Sequence, residues 1–330
     1  MPWRETTDPY KIWVSEVILQ QTQIKTGIKY YNKFLEKFPN IITLASSEDL
    51  EILKIWEGLG YYNRALNMLY SARTIVKYYN GVFPTSYNQL IKLKGIGEYT
   101  ASAISSICAN EKRGVVDGNV YRVLSRLYNI KEPIDITRVK QNFQKLANKL
   151  VPSENPGTYN QAIMDFGSTH CTKHNPSCHN CIFKKKCESF KENVVLLRPV
   201  KKIKKSYIHR HLNYLFITKS DNFIIQQRGV NDVWKKLYEL PLIETKKQID
   251  KDFLMRQNYL KKFQISNIRL QYSMQHNLSH QKLKIYFWEI IVQDINIESG
   301  LKKITLNTVS LYPFPRPLTK YFETQHNLSI

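Results

Sequence analysis

Residues 89–127 read QLIKLKGIGEYTASAISSICANEKRGVVDGNVYRVLSRL. The stretch opens on the apolar end of a helix (Leu90, Ile91, Leu93), breaks at Lys94-Gly95-Ile96-Gly97, and resumes as a second helix predicted over residues 99–109. Two glycines two apart between helices let backbone approach backbone or a ligand, and they leave N–H groups free at the new helix N-terminus. Such an end carries a partial positive charge and suits a phosphate. Gly95 and Gly97 alone fit a plain helix–helix turn equally well, because short glycine motifs recur by chance. Val115-Val116-Asp117-Gly118-Asn119-Val120 then leads into a helical segment, 121–127, with Arg122 and Arg126 on one face. Asp117 stands where an N-cap belongs. A carboxylate there is also held ionised by the helix dipole and nearby N–H groups, which is what an electrostatic stabiliser of a cationic transition state requires.

Working outward, 330 residues suffice for two domains with full cores. Lys+Arg number 49 against 27 Asp+Glu, a surplus of 49 − 27 = 22 that points to a polyanionic partner, most simply nucleic acid. A lysine-rich composition bias gives the same surplus, so charge alone does not decide. No apolar run is long enough to span a membrane and no signal peptide precedes Pro2-Trp3-Arg4, so the expectation is a cytoplasmic protein, nucleoid-associated if bacterial, with no membrane partner.

The first helix has Asp8 as N-cap and Pro9 at its first position, and runs on through Tyr10–Thr22 with apolar residues on nearly every side. Glu16 is the one acid inside it. A lone helical Glu is usually solvated, yet Ile12, Val17 and Leu19 surround this one with apolar neighbours. Desolvation raises a carboxyl pKa and lets it hold a proton near neutrality, as a general acid must. Further helices are predicted over 30–38, 47–56, 64–80, 137–150 and 159–167, punctuated by Pro39, Gly58-Leu59-Gly60 and Gly81-Val82-Phe83-Pro84. Tyr61 and Tyr62 at a loop–helix junction read either as core or as a wedge for a base stack. Cys171, Cys178, Cys181 and Cys187 form a C-x6-C-x2-C-x5-C run. Four close thiols imply a metal centre, and unequal arms around a single C-x2-C suit one [4Fe–4S] cluster better than paired zinc knuckles. Cys108 reads as an ordinary buried thiol.

With these motifs assembled, the chain resembles the helix-hairpin-helix DNA glycosylases that carry an iron–sulfur cluster, and specifically the MutY-type adenine DNA glycosylases. The resemblance rests on Pro2-Trp3-Arg4, residues 15–22 (SEVILQQT), Gly58–Tyr62, 93–101, 116–126, Asn160-Gln161-Ala162 and the four cysteines, nearly all of 1–187. It implies removal of adenine mispaired with 8-oxoguanine, or with guanine, in double-stranded DNA, by a monomer. Position by position, Glu16 corresponds to the family's general acid, which protonates adenine, and Asp117 to the carboxylate that stabilises the oxocarbenium-like sugar or briefly bonds to it, a two-carboxylate glycoside chemistry. Tyr99 and Asn119 resemble the residues that support these carboxylates. Trp3, Arg4 and Gln161 resemble the pocket for a flipped base. Gln21 and Tyr61 resemble the intercalating residues, residues 94–99 the phosphate-binding hairpin, and the four cysteines the cluster ligands. Endonuclease III-type relatives carry a Schiff-base lysine where Tyr99 stands, so the resemblance implies a monofunctional enzyme that leaves an abasic site.

The expected fold is therefore multidomain: an all-α helix-hairpin-helix glycosylase domain over 1–190, with the hairpin at 85–109 and the iron–sulfur loop at 171–187, a basic linker over 191–206, and an α+β Nudix-like domain over 207–330. Strands are predicted over 207–218 and 223–227 with a turn at Asp221-Asn222. The segment 233–241 (VWKKLYELP) resembles a Nudix-type motif, but the acidic box that would bind Mg²⁺ is absent, which favours a binding module over a pyrophosphatase. His276-Asn277-Leu278-Ser279-His280 matches the family's 8-oxoguanine-probing loop, with Leu278 where Phe is usual; Ser279 and His280 keep their hydrogen-bonding capacity, while stacking by residue 278 is put in doubt. A helix that usually precedes Pro-Trp-Arg is missing, through loss or through a start placed late. The competing readings are an endonuclease III-type glycosylase for oxidised pyrimidines, a non-catalytic iron–sulfur DNA-binding protein, and a Nudix hydrolase.

Overall fold

The structure is a computed structural model that describes residues 1–202, 207–295 and 299–328. Its helices are α1 (Pro9–Ile18), α2 (Ile24–Lys37), α3 (Ile41–Ser46), α4 (Asp49–Ile55), α5 (Asn63–Tyr78), α6 (Tyr87–Leu90), α7 (Glu98–Cys108), α8 (Gly118–Leu127), α9 (Thr137–Leu150), α10 (Pro156–Thr169) and α11 (Glu188–Lys191). Strands β1 (Ile208–Lys219), β2 (Asn222–Gln227), β3 (Tyr238–Glu239) and β4 (Leu242–Thr245) follow, then α12 (Lys251–Met255), β5 (Ile265–Asn277), β6 (Gln281–Val292), β7 (Leu301–Thr305) and α13 (Arg316–His326). They form two compact units, one of Met1–Ser46 with Asn67–Lys204, the other of Ser47–Leu66 with Lys205–Ile330.

In the helical unit α1 is buried on most sides, with Ile12, Trp13, Val14, Val17 and Ile18 each 3% exposed or less. Asp8 caps it by accepting from the N–H groups of Tyr10 and Lys11. The helix ends at Ile18, four residues before the predicted limit, and the chain turns at Gln21, whose φ is +59°. The α6–α7 hairpin turns at Gly95 (φ +82°), where a Cβ would lie 2.7 Å from Asn67 Cβ. Both the left-handed backbone and the close approach require glycine there. Gly97 is different: it is the extended N-cap of α7 with open space around it, so nothing within the chain demands a glycine.

The last part of the expected 191–206 linker is tied down where it is described. Val200 O accepts from Ile134 N (3.0 Å), Asp135 accepts from Lys202 N (3.0 Å), and Arg198 Nε donates to Asn129 (2.8 Å). Residues 203–206 lie outside the described residues.

The second unit is a seven-stranded mixed sheet of order β3-β2-β1-β6-β5, with β4 paired to β1 and β7 to β2. Central β1 runs parallel to β6 and antiparallel to β2 and β4. Its run from Leu212 to Ile217 is apolar on both faces, apart from Asn213, because both faces are covered. On one side Leu212, Tyr214 and Phe216 pack with Leu318, Tyr321 and Phe322 of α13. On the other, Leu215 and Ile217 pack with Leu254, Leu260 and Phe263. The predicted turn at Asp221-Asn222 joins β1 to β2, one residue from its expected place at each end. The compact units also depart from a boundary at 190, since Ser47–Leu66 group with the sheet. The reason is local: Lys236 forms an ion pair with Asp49, and residues 312–314 hydrogen-bond to Lys54, Glu57 and Tyr62.

Candidate active site

The helical unit holds a cleft of about 590 Å³ whose walls come from the N-terminal turn, α1 and its following turn, α7, the start of α8, and α10. Eight residues singled out in the sequence line it: Trp3, Arg4, Glu16, Gln21, Tyr99, Asp117, Asn119 and Gln161. A cleft of this size accommodates a nucleoside-sized ligand. Gly95 and Gly97 lie outside this lining, in the hairpin.

Glu16 projects from an apolar helix, and burial raises its carboxyl pKa. A hydrogen bond with Tyr99 and the positive charge of Arg4 oppose the rise, while the charge of Asp117 adds to it. The Tyr99 hydroxyl donates to Met164 Sδ (3.6 Å), and burial together with the Glu16 charge pushes its own pKa well up. Tyr99 is therefore a neutral phenol beside the Glu16 carboxyl.

Asp117 is the N-cap of α8. Oδ1 accepts from Val120 N (2.7 Å) and Oδ2 from Asn119 Nδ2 (2.8 Å). These bonds favour the ionised form, yet burial outweighs them and the pKa lies above the ordinary carboxylate value. This corrects the expectation that capping dominates: a cap on an open surface is solvated, whereas this one is partly buried in the cleft. Asn119 is fixed in turn, because its Oδ1 accepts from Arg122 Nη2 (2.8 Å), and Arg122 Nε donates to Cys171 O (2.8 Å). Gly167 makes this approach possible, since a Cβ there would come within 2.7 Å of Asn119 Cβ.

Sequence reasoning gave no role to Arg122 or Asn160. Asn160 is 1% exposed and bonds Val115 N, Arg113 O and Ser106 Oγ at 2.7–3.1 Å, so it anchors the strand-like run that delivers Asp117. Its only sequence signal is the Asn-Gln-Ala motif. Arg4 is paired with Asp165 at 2.9 Å, and Trp3 packs edge-on against Tyr31. Two carboxyl groups in one cleft can divide the work, Glu16 holding a proton for a leaving group and Asp117, with its oxygens accepting from Val120 N and Asn119 Nδ2, facing a cationic sugar as the carboxylate.

All four sequence-predicted cysteines line one cavity, together with Arg126 and His170. The residues around it fit an anionic metal–sulfur group. Arg126 is only 2% exposed, and it donates to the carbonyl oxygens of Val195, Arg198, Cys171, Thr172 and Lys173 and to Cys171 Sγ at 3.4 Å, with no carboxylate among these partners. A buried guanidinium needs an anion close by. His170 Nε2 is buried without a hydrogen-bond partner. Burial, then the charges of its neighbouring cysteines, raise the Cys178 thiol, so gathering thiolates here requires a positive centre. Among the described residues no three His, Cys, Asp or Glu side chains are arranged around a single ion; a cube of four irons spreads its ligands more widely than one ion does.

The remaining candidates belong to the sheet unit. Tyr61 is half exposed at φ +51°, its ring under the Arg64 guanidinium (5.8 Å). The segment 276–281 closes the β5–β6 hairpin through Leu278 N to Gln281 O (2.8 Å). Ser279 and His280 are exposed, with Ser279 Oγ 3.1 Å from His280 Nδ1, while Leu278 packs inward with Trp234 and Met274 against the core.

Residues 14–149 match the HhH-GPD superfamily of base excision DNA repair proteins, and residues 213–324 match the NUDIX domain. The fold and the sequence together define a helix-hairpin-helix base-excision glycosylase joined to a Nudix-like domain. The chain is 37% identical over 336 residues to an adenine DNA glycosylase of Buchnera aphidicola subsp. Baizongia pistaciae (strain Bp), a match covering 99% of this chain and 94% of that protein. The Homo sapiens adenine DNA glycosylase is 40% identical over 198 residues, 57% of this chain and 36% of the human one. The chain belongs to the adenine DNA glycosylase family and is an enzyme of DNA base excision repair. Among solved structures, a thermostable thymine-DNA glycosylase aligns with a TM-score of 0.54 at 29% identity, covering 58% of this chain and 88% of that one. A trapped endonuclease III–DNA covalent intermediate aligns at 0.51 and 24% identity over 56% and 86%, and shares the fold. Among the described residues no helix is long and apolar enough to cross a membrane.

Proposed function

We propose that the enzyme hydrolyses the N-glycosidic bond of adenine mispaired with 8-oxoguanine, or with guanine, acts as a monomer, and leaves an abasic site. The observation that carries this reading is the cleft shared by Glu16, whose pKa burial raises, and Asp117, whose two oxygens accept from Val120 N and Asn119 Nδ2. Glu16 holds a proton and delivers it to the leaving adenine, with Tyr99 orienting it. Asp117, aligned by Asn119 and Val120 N–H, stabilises the cationic sugar as the C1′–N9 bond breaks, and water completes the hydrolysis. Trp3, Arg4 and Gln161 contact the flipped base, and Gln21 and Tyr61 fill the gap it leaves. No lysine lines the cleft among the described residues, which supports a monofunctional reaction without a Schiff base. The hairpin around Gly95 and Gly97 receives a phosphate; Ser279 and His280 read the base opposite. Cys171, Cys178, Cys181 and Cys187 would hold one [4Fe–4S] cluster, which supplies a compact charged staple for the loop rather than a reacting group.

The test is single-turnover incubation with duplexes bearing adenine opposite 8-oxoguanine, adenine opposite guanine, or an oxidised pyrimidine, with products resolved with and without alkali. Adenine release with strand breakage only after alkali is expected. Breakage without alkali would replace this reading with the lyase one.

A further inference from the structure

The geometry points to residues 312–314 as a positioning element for the loop 58–62, which presents Tyr61. This rests on the reading of Tyr61 as a wedge given above and goes beyond it by identifying what aims the wedge.

Among the described residues, hydrogen bonds join 312–314 to the loop and to the residues just before it. Phe314 N donates to Glu57 Oε1 at 3.0 Å, Tyr62 OH donates to Phe314 O at 3.5 Å, and Lys54 Nζ reaches Tyr312 O at 3.4 Å. The Tyr62 hydroxyl also accepts from Gly58 N (3.3 Å), so a single group ties the loop to Phe314. Residues 312–314 are themselves fixed to the sheet. Tyr238 N of β3 donates to Pro313 O (2.9 Å), the Tyr238 and Tyr312 rings meet at 4.8 Å, and Phe314 is fully buried against Phe322.

The loop needs such support. Gly58, Gly60 and Tyr61 all have positive φ (90°, 73° and 51°), and a bulky residue in the left-handed region persists only where its surroundings impose it. Within the loop, Gly60 O accepts from Trp56 Nε1 (3.2 Å) and Arg64 (3.1 Å), which closes the turn. The sheet adds an anchor outside the loop, through the bonds of Glu57 and Tyr62 to Phe314. The Nudix-like unit thereby acquires a use that needs no acidic box, as the rigid base from which an aromatic is inserted beside the lesion.

The test places 2-aminopurine next to 8-oxoguanine in the adenine-containing duplex. Its fluorescence on binding is read together with single-turnover adenine release opposite 8-oxoguanine and opposite guanine. Glu57→Ala should reduce both the fluorescence rise and the 8-oxoguanine preference about fivefold, the size one buried hydrogen bond supports. Glu57→Gln, whose amide oxygen still accepts from Phe314 N, should restore most of it. Tyr62→Phe, which removes only a hydroxyl, should follow Glu57→Ala and covers the case in which the latter fails to fold. In a Tyr61→Ala background Glu57→Ala should add nothing, because both act through one ring. Independent addition, or full fluorescence in Glu57→Ala and Tyr62→Phe, would overturn the positioning role while leaving the wedge intact. Unchanged readouts in Tyr61→Ala would overturn the wedge itself, and the positioning role with it.

Discussion

The cleft of the helical unit and the hairpin tip of the sheet unit solve opposite problems. Glu16, Tyr99 and Asp117 are half-buried in the cleft wall, and each has its titration displaced by burial. Ser279 and His280 stand in solvent, bonded mainly to each other and to Gln281. Chemistry on a glycosidic bond needs a low-dielectric site where a carboxyl keeps its proton and a carboxylate meets a cation. Reading a base needs donors and acceptors that are open until the partner arrives. The first region is costly to build and the second is not, so their variants should fail in different ways.

The largest effect expected is from Glu16→Gln, with loss of adenine release by roughly 10²- to 10⁴-fold, the range of general acid–base catalysis. Binding of the mispaired duplex, measured by anisotropy, should be retained; retained cleavage would remove Glu16 from the mechanism. The raised pKa also sets signs. Release slows as pH rises through the Glu16 value, because the acid form is lost. It slows as pH falls through the Asp117 value, because the carboxylate is lost, and the limbs belong to the interacting pair. For stability, a carboxyl whose folded pKa is raised favours the fold below its unfolded value, near 4.3, and that contribution disappears as pH climbs through the folded value. Glu16→Gln should therefore melt higher than the parent at pH 8, with the gap closing toward pH 5. A variant inactive yet more stable would show that the cleft trades stability for chemistry.

Next comes the cluster loop. Cys187→Ser should abolish bound iron and leave the Arg126 guanidinium buried without its anionic neighbours, a loss of roughly 3–5 kcal/mol by analogy with broken buried ion pairs. Hydrogen exchange should show lost protection around residues 171–198 and in α8, where Arg126 is rooted, with β1 and β6 unchanged. Equal loss in both regions would mean that the cluster supports more than its own loop.

Much of this was legible beforehand, and the reasons are physical. The Asp-Pro start of α1, the α9 limits and the β1–β2 turn were readable because capping, periodicity and turn chemistry are local. The cleft residues were named through motif resemblance, and eight of them do share one cavity. Illegible were the long-range supports. Arg122 bridges Asn119 to Cys171 across 49 residues of sequence, Asn160 reaches Val115 across 45, and Phe314 reaches Glu57 across 257. No spacing announces such bonds. The same holds for the direction of the Asp117 shift, since capping is visible in sequence and the burial of the cap is not.

At the hairpin the effects should be smaller and confined to choice of substrate. Ser279→Ala with His280→Ala should lower the preference for adenine opposite 8-oxoguanine over guanine by about tenfold, the discrimination one or two base-edge hydrogen bonds provide. Release opposite guanine should hardly change. An unaltered preference would move lesion reading away from 279–280.

The smallest effect, and the sharpest for the comparison, concerns Leu278. It directly precedes the exposed Ser279 and His280, yet its side chain packs against the core, as do Trp234 and Met274. If packing is its whole role, Leu278→Ala should cost about 1–2 kcal/mol in urea unfolding, at or below the low end of leucine truncations because the site is only partly buried. The 8-oxoguanine preference should stay within twofold, well under the change that loss of one base contact produces. Leu278→Phe distinguishes the alternatives further. A ring too large for the inward site either overpacks the core, lowering stability without altering preference, or swings outward and raises preference by stacking on the duplex. The first outcome would place the border between structure and reading at Leu278 N–H, where the hairpin closes. The second would extend the reading surface by one residue.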